Sequence, residues 1–266
     1  MAGVGRIMLW SLAFAWVLGL PGCRRGDRRV LSVVGSTSIQ PFAEMLAEAY
    51  NAQQHGLEVE VQGGGSTAGI QAVTTGIAHI GMCSRNLKPE EPFTPILIAR
   101  DGIALVVHPS NPVKGLSLAQ IRELFSGRAA NWRDVGGADA AVRVITREEG
   151  SGTREAFVKL VMAGERISRR ALTQESNGAV KELVRHDPGA IGYMSLGLVG
   201  QELRTLQVDG TKPSRENVLN GSYPLVRPFL FVVAGQPSPD AQGFIAFVLG
   251  QAAQEMLERE GLVRAK

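Results

Sequence analysis

Short apolar runs alternate with amphipathic segments along the chain, and turns rich in Gly, Ser and Thr join them. The run 30–35 (VLSVVG) predicts a buried strand, and the apolar residues of 39–49 recur at helical spacing after it. Pro41 in the first turn, with Ser and Thr before it, is typical of a helix start. The run 57–62 (LEVEVQ) alternates like a strand, and 63–76 opens a second helix. This order predicts an α/β fold with a mostly parallel sheet.

The same order returns in the second half of the chain. A strand at 141–145 leads into a turn of Gly, Ser and Thr and then into a helix. Two longer apolar stretches, 101–112 and 223–233, predict strands that cross between two lobes. The segment 241–261 predicts one amphipathic C-terminal helix.

The crossing strands set the predicted domain boundaries. We expect lobe one to contain residues 30–108 together with 224–266, and lobe two to contain residues 109–223. A chain of 266 residues is long enough for two such lobes.

The N-terminus has the features of an export signal. Arg6 precedes an apolar run at 7–20, which is short for a membrane span and suits the hydrophobic region of a signal peptide. The sequence LPGC then resembles the bacterial lipobox, in which the Cys is acylated. We therefore expect a lipoprotein signal peptide at 1–22 and a lipidated tether at 23–29, with Cys23 carrying the lipid that holds the protein to a membrane.

Composition narrows the functional classes. Apolar residues make up 44% and charged residues 20% of the chain, as in ordinary globular proteins. Aromatic residues are 6% and the net charge is +3, without a cluster of Lys and Arg, so we expect no nucleic-acid partner. The His and Cys residues lack the spacing of metal ligands, so no metal or cofactor is predicted. Cys83 lies in a strand-like apolar run and is expected to be buried.

Three turns between a strand and a helix carry the candidate chemistry. They are 35–38 (GSTS), 63–69 (GGGSTAG) and 150–153 (GSGT). Backbone N–H groups at a helix start lack partners within the helix and favour anions, and glycine lets a ligand approach them closely. Ser and Thr also serve as ordinary helix caps. Three such turns, with Arg147 before the last, favour a site for a tetrahedral oxyanion.

These segments carry a family resemblance. GSTSIQPFAEMLAEAY, GGGSTAGIQAV, IGMCSR, TREEGSGTREAF and DPGAIGYMSLG resemble, in order and spacing, the phosphate-binding proteins of bacterial ABC phosphate uptake systems. The resemblance spans nearly the whole chain after the signal peptide. It implies a two-lobed periplasmic-binding-protein fold of type II, in which lobes joined by hinge strands close on phosphate. It also implies delivery of the anion to an ABC permease and its ATPase, by a protein that we expect to be exported and monomeric.

The resemblance also implies the ligand-binding residues. The positions that match the family's phosphate site are Thr37, Ser38, Ser66, Ser84, Arg147, Ser151, Gly152 and Thr153. Further candidates are Ser36, Arg85 and Glu149. Glu149 stands where the family often has an Asp that braces the arginine. Ser84 stands where well-known members have an Asp that accepts the proton of hydrogen phosphate.

Other functions remain open at this point. A serine hydrolase needs a G-x-S-x-G elbow with a His base, and the three turns do not match this pattern. A P-loop needs a Lys after its glycines, and the turn at 63–69 has none. We therefore expect no enzyme. A lipoprotein that senses phosphate without feeding a permease has the same motifs. A receptor for sulfate, molybdate or arsenate on the same fold is a further alternative, and Ser84 leaves the anion open. Arg85 has its own alternative, a structural ion pair.

Overall fold

The computed structural model describes residues 29–54 and 56–265, so the predicted signal peptide and Cys23 lie outside the described residues. The strands are β1 (Arg29–Gly35), β2 (Leu57–Gly63), β3 (Ile80–Cys83), β4 (Thr94–Val107), β5 (Gly115–Leu116), β6 (Arg143–Arg147), β7 (Leu172–Gln174), β8 (Ala190–Ser195), β9 (Arg204–Thr205), β10 (Gln207–Val208), β11 (Val226–Val233) and β12 (Val263–Arg264). The helices are α1 (Gln40–Asn51), α2 (Ser66–Thr74), α3 (Leu118–Ser126), α4 (Gly152–Phe157), α5 (Asn177–His186), α6 (Arg215–Leu219), α7 (Pro239–Leu249) and α8 (Gln251–Arg259).

Each lobe has its own set of parallel strands. In lobe one, β1 lies between β2 and β3 and runs parallel to both. In lobe two, β6 runs parallel to β8 and β7. The crossing strands β4 and β11 are antiparallel to their neighbours, so the predicted parallel arrangement holds within the lobes and not between them. At the end of β1, Gly35 lies opposite Gly63 of β2, which brings the first two Gly-rich turns to one edge of the sheet.

Strand β4 is the main connection between the lobes. Its first part pairs with β11 from Thr94 to Gly102, and its last five residues, Ile103–Val107, pair with β8. Residues 103–107 are fully buried, because apolar side chains of lobe two cover both faces of the strand. The prediction gave these residues to lobe one. The partner strand of β4 changes near Gly102, and the boundary between residues 108 and 109 stays a prediction.

Local signals mark both ends of α3, and one predicted helix is divided in two. Ser117 caps α3 in a capping box with Gln120, and Gly127 ends this helix in the left-handed conformation. The predicted single C-terminal helix is wrong. Gly250 adopts an extended conformation, with φ −73° and ψ 158°, and divides the segment into α7 and α8. The break lets both short helices pack on the core of lobe one.

The buried core is divided like the sheet. One large cluster joins α1, α7 and α8 to β1, β3 and β11 in lobe one. A second cluster fills lobe two, where the rings of Phe157 and Tyr193 stack with centroids 4.1 Å apart. Cys83 is buried on β3, as predicted, and burial raises the pKa of its thiol. No helix among residues 29–54 and 56–265 combines the length and apolar character needed to cross a membrane.

Candidate functional site

The three predicted turns meet between the lobes. The first follows β1 and the second follows β2, so both belong to lobe one, while the third follows β6 in lobe two. Polar side chains that are at most 1% exposed gather here, although none of them belongs to an apolar core: Ser36, Ser38, Ser66, Ser84, Arg147, Ser151 and Thr153. Buried polar groups are costly unless they have partners, so such a cluster requires a specific arrangement or a ligand.

Direct hydrogen bonds hold the lobes together at this cluster. Ser38 Oγ of lobe one lies 2.8 Å from Thr153 Oγ1 of lobe two. Arg147 Nη2 donates to Thr37 Oγ1 at 3.0 Å. The backbone N–H of Thr67 donates to the carbonyl of Gly150 at 3.1 Å. The structure therefore represents a closed arrangement, in which polar groups of both lobes contact each other directly.

Two glycines make this close approach possible. Gly65 caps α2 with φ +92°, and a Cβ atom there would lie 2.9 Å from the carbonyl oxygen of Gly150 in the other lobe. A Cβ atom at Gly152 would lie 2.2 Å from Ser66 Oγ and 2.7 Å from Ser84 Oγ. Any larger residue at either position would keep the turns apart. The Gly-rich turns thus allow backbone to contact backbone and hydroxyl groups across the cleft.

Arg147, the last residue of β6, is a buried cation of the cluster. Its Nε and Nη2 atoms bond Glu148 at 2.9 and 3.0 Å, and Nη2 also reaches Thr37. Its Nη1 atom is buried and has no hydrogen-bond partner among the described residues. A guanidinium group normally uses all of its donors when it is buried. The free Nη1 atom is therefore a donor available to a ligand.

The brace for Arg147 differs from the predicted residue. The sequence pointed to Glu149, but Glu149 is exposed, and Glu148 makes both contacts with the guanidinium group. Because Arg147 ends a strand, the residue directly after it lies closest to its side chain as the chain turns. The backbone carbonyls of Gln174 and Glu175 complete the support of Arg147 from the neighbouring loop.

Comparison with known proteins agrees with this geometry. Residues 24–252 match a family model described as a PBP superfamily domain. A Clostridium perfringens protein assigned as a phosphate ABC transporter substrate-binding protein, and solved with bound phosphate, is 38% identical to this chain. The likeness covers 90% of this chain and 100% of that one, with a TM-score of 0.86. This chain belongs to the PBP superfamily.

Further relatives place the chain among the PstS-like members of this superfamily. An ABC-type phosphate transport receptor from Vibrio cholerae is 35% identical, with 88% of this chain and 99% of that one covered and a TM-score of 0.75. The phosphate-binding protein PstS of Bacillus subtilis is 29% identical over 233 residues, which cover 85% of this chain and 77% of that protein. The predicted family resemblance and the predicted two-lobed α/β fold are confirmed.

Ser84 lies inside the cluster. The family resemblance implies an Asp that accepts a proton at this position in well-known members. Ser36 Oγ donates to Ser84 Oγ at 2.8 Å, and Ser66 Oγ lies 3.3 Å away. The backbone N–H of Ser84 donates to Ser66 Oγ at 3.0 Å. The structure thus brings together Ser36, Ser66 and Ser84, and all three side chains are neutral hydroxyl groups.

Arg85, a further candidate for ligand binding, lies outside the cluster. Its guanidinium group bonds both carboxylate oxygens of Glu91 at 2.7 and 2.8 Å. Its Nε atom lies 3.0 Å from Glu155 of lobe two. Hydrogen bonding to Arg85 lowers the pKa of Glu91. Arg85 is therefore the structural ion pair that the sequence left open as its alternative role.

Two residues of the site were missed in the sequence. Asn177 donates from Nδ2 to Ser38 Oγ at 2.9 Å, and Arg227 donates from Nη1 to Thr153 Oγ1 at 2.6 Å. Asn177 is the first residue of α5. Arg227 is a charged residue within the apolar crossing strand β11. A charge at such a position could have indicated a site residue in the sequence.

Proposed function

We propose that this protein binds inorganic phosphate between its lobes and delivers it to an ABC-type import permease. The observation that carries the proposal is the buried Nη1 atom of Arg147, a free donor within a set of hydroxyl groups from both lobes. Charge-assisted bonds from arginine and bonds from neutral hydroxyl groups suit an oxyanion that must be held tightly and released. The named functions of its relatives, phosphate binding and phosphate transport, support the same anion.

The residues proposed to bind phosphate come from the three turns and also include Ser84 and Arg147. They are Ser36, Thr37, Ser38, Ser66, Ser84, Arg147, Ser151, Gly152 and Thr153. Thr37 touches Arg147, and Ser38 touches Thr153, so these four residues already connect the two lobes at the proposed position of the anion. Since residues of both lobes contribute, phosphate would stabilise the closed form over an open one.

Binding and release, without chemistry, is the proposed activity. The cluster holds hydroxyl groups, and its relatives are named as binding and transport proteins. The protein would be exported and held to a membrane by a lipid on Cys23, as a monomer. A phosphate sensor that feeds no permease would use the same site. Neighbouring genes that encode a permease and an ATPase would favour transport over sensing.

The neutral Ser84 makes a second anion a specific alternative. A carboxylate at this position would repel sulfate, whereas a hydroxyl group repels it less. Calorimetric titration of residues 24–266, which lack the predicted signal peptide and Cys23, with phosphate, sulfate and molybdate tests the choice. We expect phosphate to bind most tightly. Tighter binding of sulfate or molybdate would replace phosphate as the ligand, and the absence of binding by all three anions would contradict the proposed function.

A further inference from the structure

A fully buried ion pair joins the two crossing strands directly behind the hydroxyl cluster. Arg227 of β11 lies opposite Asp101 of β4, and its Nε and Nη2 atoms donate to Asp101 Oδ2 at 3.0 and 2.8 Å. Their side chains are 1% and 0% exposed. Ser195 donates to the other carboxylate oxygen of Asp101 at 2.9 Å. Burial raises the pKa of Asp101, and the adjacent Arg227 opposes this shift.

This pair is costly as a purely structural element. Taking two charges out of water carries a large desolvation penalty for each ion, and a well-packed apolar pair is often as stable. Apart from Thr94 and Arg100 of β4, the other residues of the two strands are apolar, so an apolar pair would fit the pattern of β4 and β11. The third nitrogen of the guanidinium group shows a further use for the pair, because Nη1 donates to Thr153 Oγ1 at 2.6 Å.

A second fixed donor reaches the same pair of hydroxyl groups from lobe two. Asn177 donates from Nδ2 to Ser38 Oγ at 2.9 Å, and its Oδ1 atom accepts from the backbone N–H of Ser195 at 3.1 Å. This backbone contact fixes which end of the Asn177 amide faces Ser38. The contacts form a closed ring of buried groups, in the order Asn177, Ser38, Thr153, Arg227, Asp101 and Ser195.

Counting protons shows what the ring does to the hydroxyl pair. Ser38 and Thr153 together have two protons and four oxygen lone pairs. Arg227 and Asn177 can only donate here, so each of them occupies one lone pair. The bond between Ser38 and Thr153 uses one proton and one lone pair. One proton and one lone pair remain, so the pair offers an anion one hydroxyl donor and one acceptor for a proton that the anion carries.

We propose that Arg227 is a positioning residue for anion binding, held in place by Asp101 and acting through Thr153. Its donation occupies one lone pair of Thr153 Oγ1 and holds this hydroxyl group in place. Together with the donation from Asn177 to Ser38, it limits the pair to one proton and one lone pair for the anion. Thr153 touches the anion in this scheme, and Arg227 does not. The inference rests on the proposed function, because the anion in question is the phosphate assigned to the cleft.

A double-mutant cycle between Arg227 and Thr153 tests this role by calorimetry with phosphate on residues 24–266. Arg227→Lys keeps a charge beside Asp101 but loses the planar fork that reaches both Asp101 and Thr153. We expect Arg227→Lys to weaken phosphate binding about tenfold or more, and less than about twofold in the Thr153→Val background. Equal losses in the two backgrounds would overturn the inference, since a purely structural role does not depend on the hydroxyl group.

Thr37→Val provides the matched control, because Thr37 is a cleft hydroxyl that contacts Arg147 and not Arg227. Arg227→Lys should cost the same factor with or without Thr37→Val; a coupling as large as that with Thr153 would also overturn the proposal. If the unaltered protein binds phosphate but the Thr153 cycle is additive, this inference alone fails. If the unaltered protein binds no phosphate, the proposed function fails and this inference with it.

A measurement on the unaltered protein covers the case in which the Arg227→Lys chain does not fold. The side-chain N–H resonances of Arg227 should shift when phosphate is added, and Thr153→Val should remove this shift. Resonances that do not respond to phosphate, or that respond equally in Thr153→Val, would overturn the proposal.

Discussion

At the scale of single residues, the position of Arg147 gives its charge a role that a nearby arginine lacks. Arg147 is 1% exposed and has a free Nη1 donor among the described residues, whereas Arg154 is partly exposed and donates to the backbone carbonyl of Arg147. We predict that Arg147→Ala weakens phosphate binding by about 2–5 kcal/mol, the scale for truncating a buried charge pair. Arg154→Ala, measured by the same titration, should cost much less. Equal and small losses would contradict the assignment of Arg147.

The selectivity for phosphate over sulfate is also a property of a single residue, Ser84. We predict that Ser84→Asp retains phosphate binding and raises the phosphate-to-sulfate affinity ratio by about 1.5–3 kcal/mol, the value of a hydrogen bond to a charged group. The new carboxylate would accept the proton of hydrogen phosphate and repel sulfate. Arg85 already bonds Glu91 with two nitrogens, so it is engaged elsewhere.

Competition binding of both anions to the unaltered protein and to Ser84→Asp measures this ratio. Ser84→Asn is the control, because it adds a side chain of similar size without charge. An unchanged ratio with intact phosphate affinity would show that selectivity arises at another position.

At the scale of elements, the loop after β3 is fixed by the contact between Arg85 and Glu91. The pKa of Glu91 is lowered from 4.5, first by its hydrogen bonds with Arg85. A carboxyl group whose pKa is lower in the folded state stabilises the fold above its unfolded pKa, and this contribution disappears as the pH falls through the folded pKa. We predict that Glu91→Gln lowers the free energy of unfolding at pH 7 by about 1.5–3 kcal/mol.

Urea unfolding of the variant and the unaltered protein, from pH 7 downward, checks the prediction. The difference in the free energy of unfolding should be largest at pH 7. It should shrink below pH 4.5, the ordinary pKa of a Glu side chain. Glu90→Gln is the control, since Glu90 is an exposed neighbour. A difference that stays constant across this pH range would contradict a role for the charge of Glu91.

Local sequence patterns predicted some features of the fold and the site and not others. Apolar periodicity and caps predicted most strands and helices, and the three Gly-rich turns predicted the cluster of hydroxyl groups, because both signals are local. The role of Glu148 and the reach of Arg227 depend on how distant strands meet, and no local pattern contains that information. Gly250 was visible in the sequence, but its extended conformation depends on the packing of α7 and α8 against the same core.

At the scale of the whole molecule, the predicted location depends on Cys23, which lies outside the described residues. We predict that Cys23→Ala abolishes lipidation and releases the protein from the membrane, because the acyl chains are its proposed anchor. Metabolic labelling with a fatty acid measures the modification, and Cys83→Ala is the control, since Cys83 is buried on β3. Labelling of Cys23→Ala equal to that of the unaltered protein would contradict the lipoprotein assignment.

The closed arrangement of the two lobes gives the account its central claim, that one phosphate ion is held between them. A crystal structure of residues 24–266 grown with phosphate tests this claim most directly. The account predicts a phosphate ion within hydrogen-bond distance of Arg147 Nη1 and of hydroxyl groups from both lobes, among them Ser66 and Thr153. A phosphate ion bound at any other position, with Arg147 Nη1 still lacking a partner in the closed cleft, would contradict it.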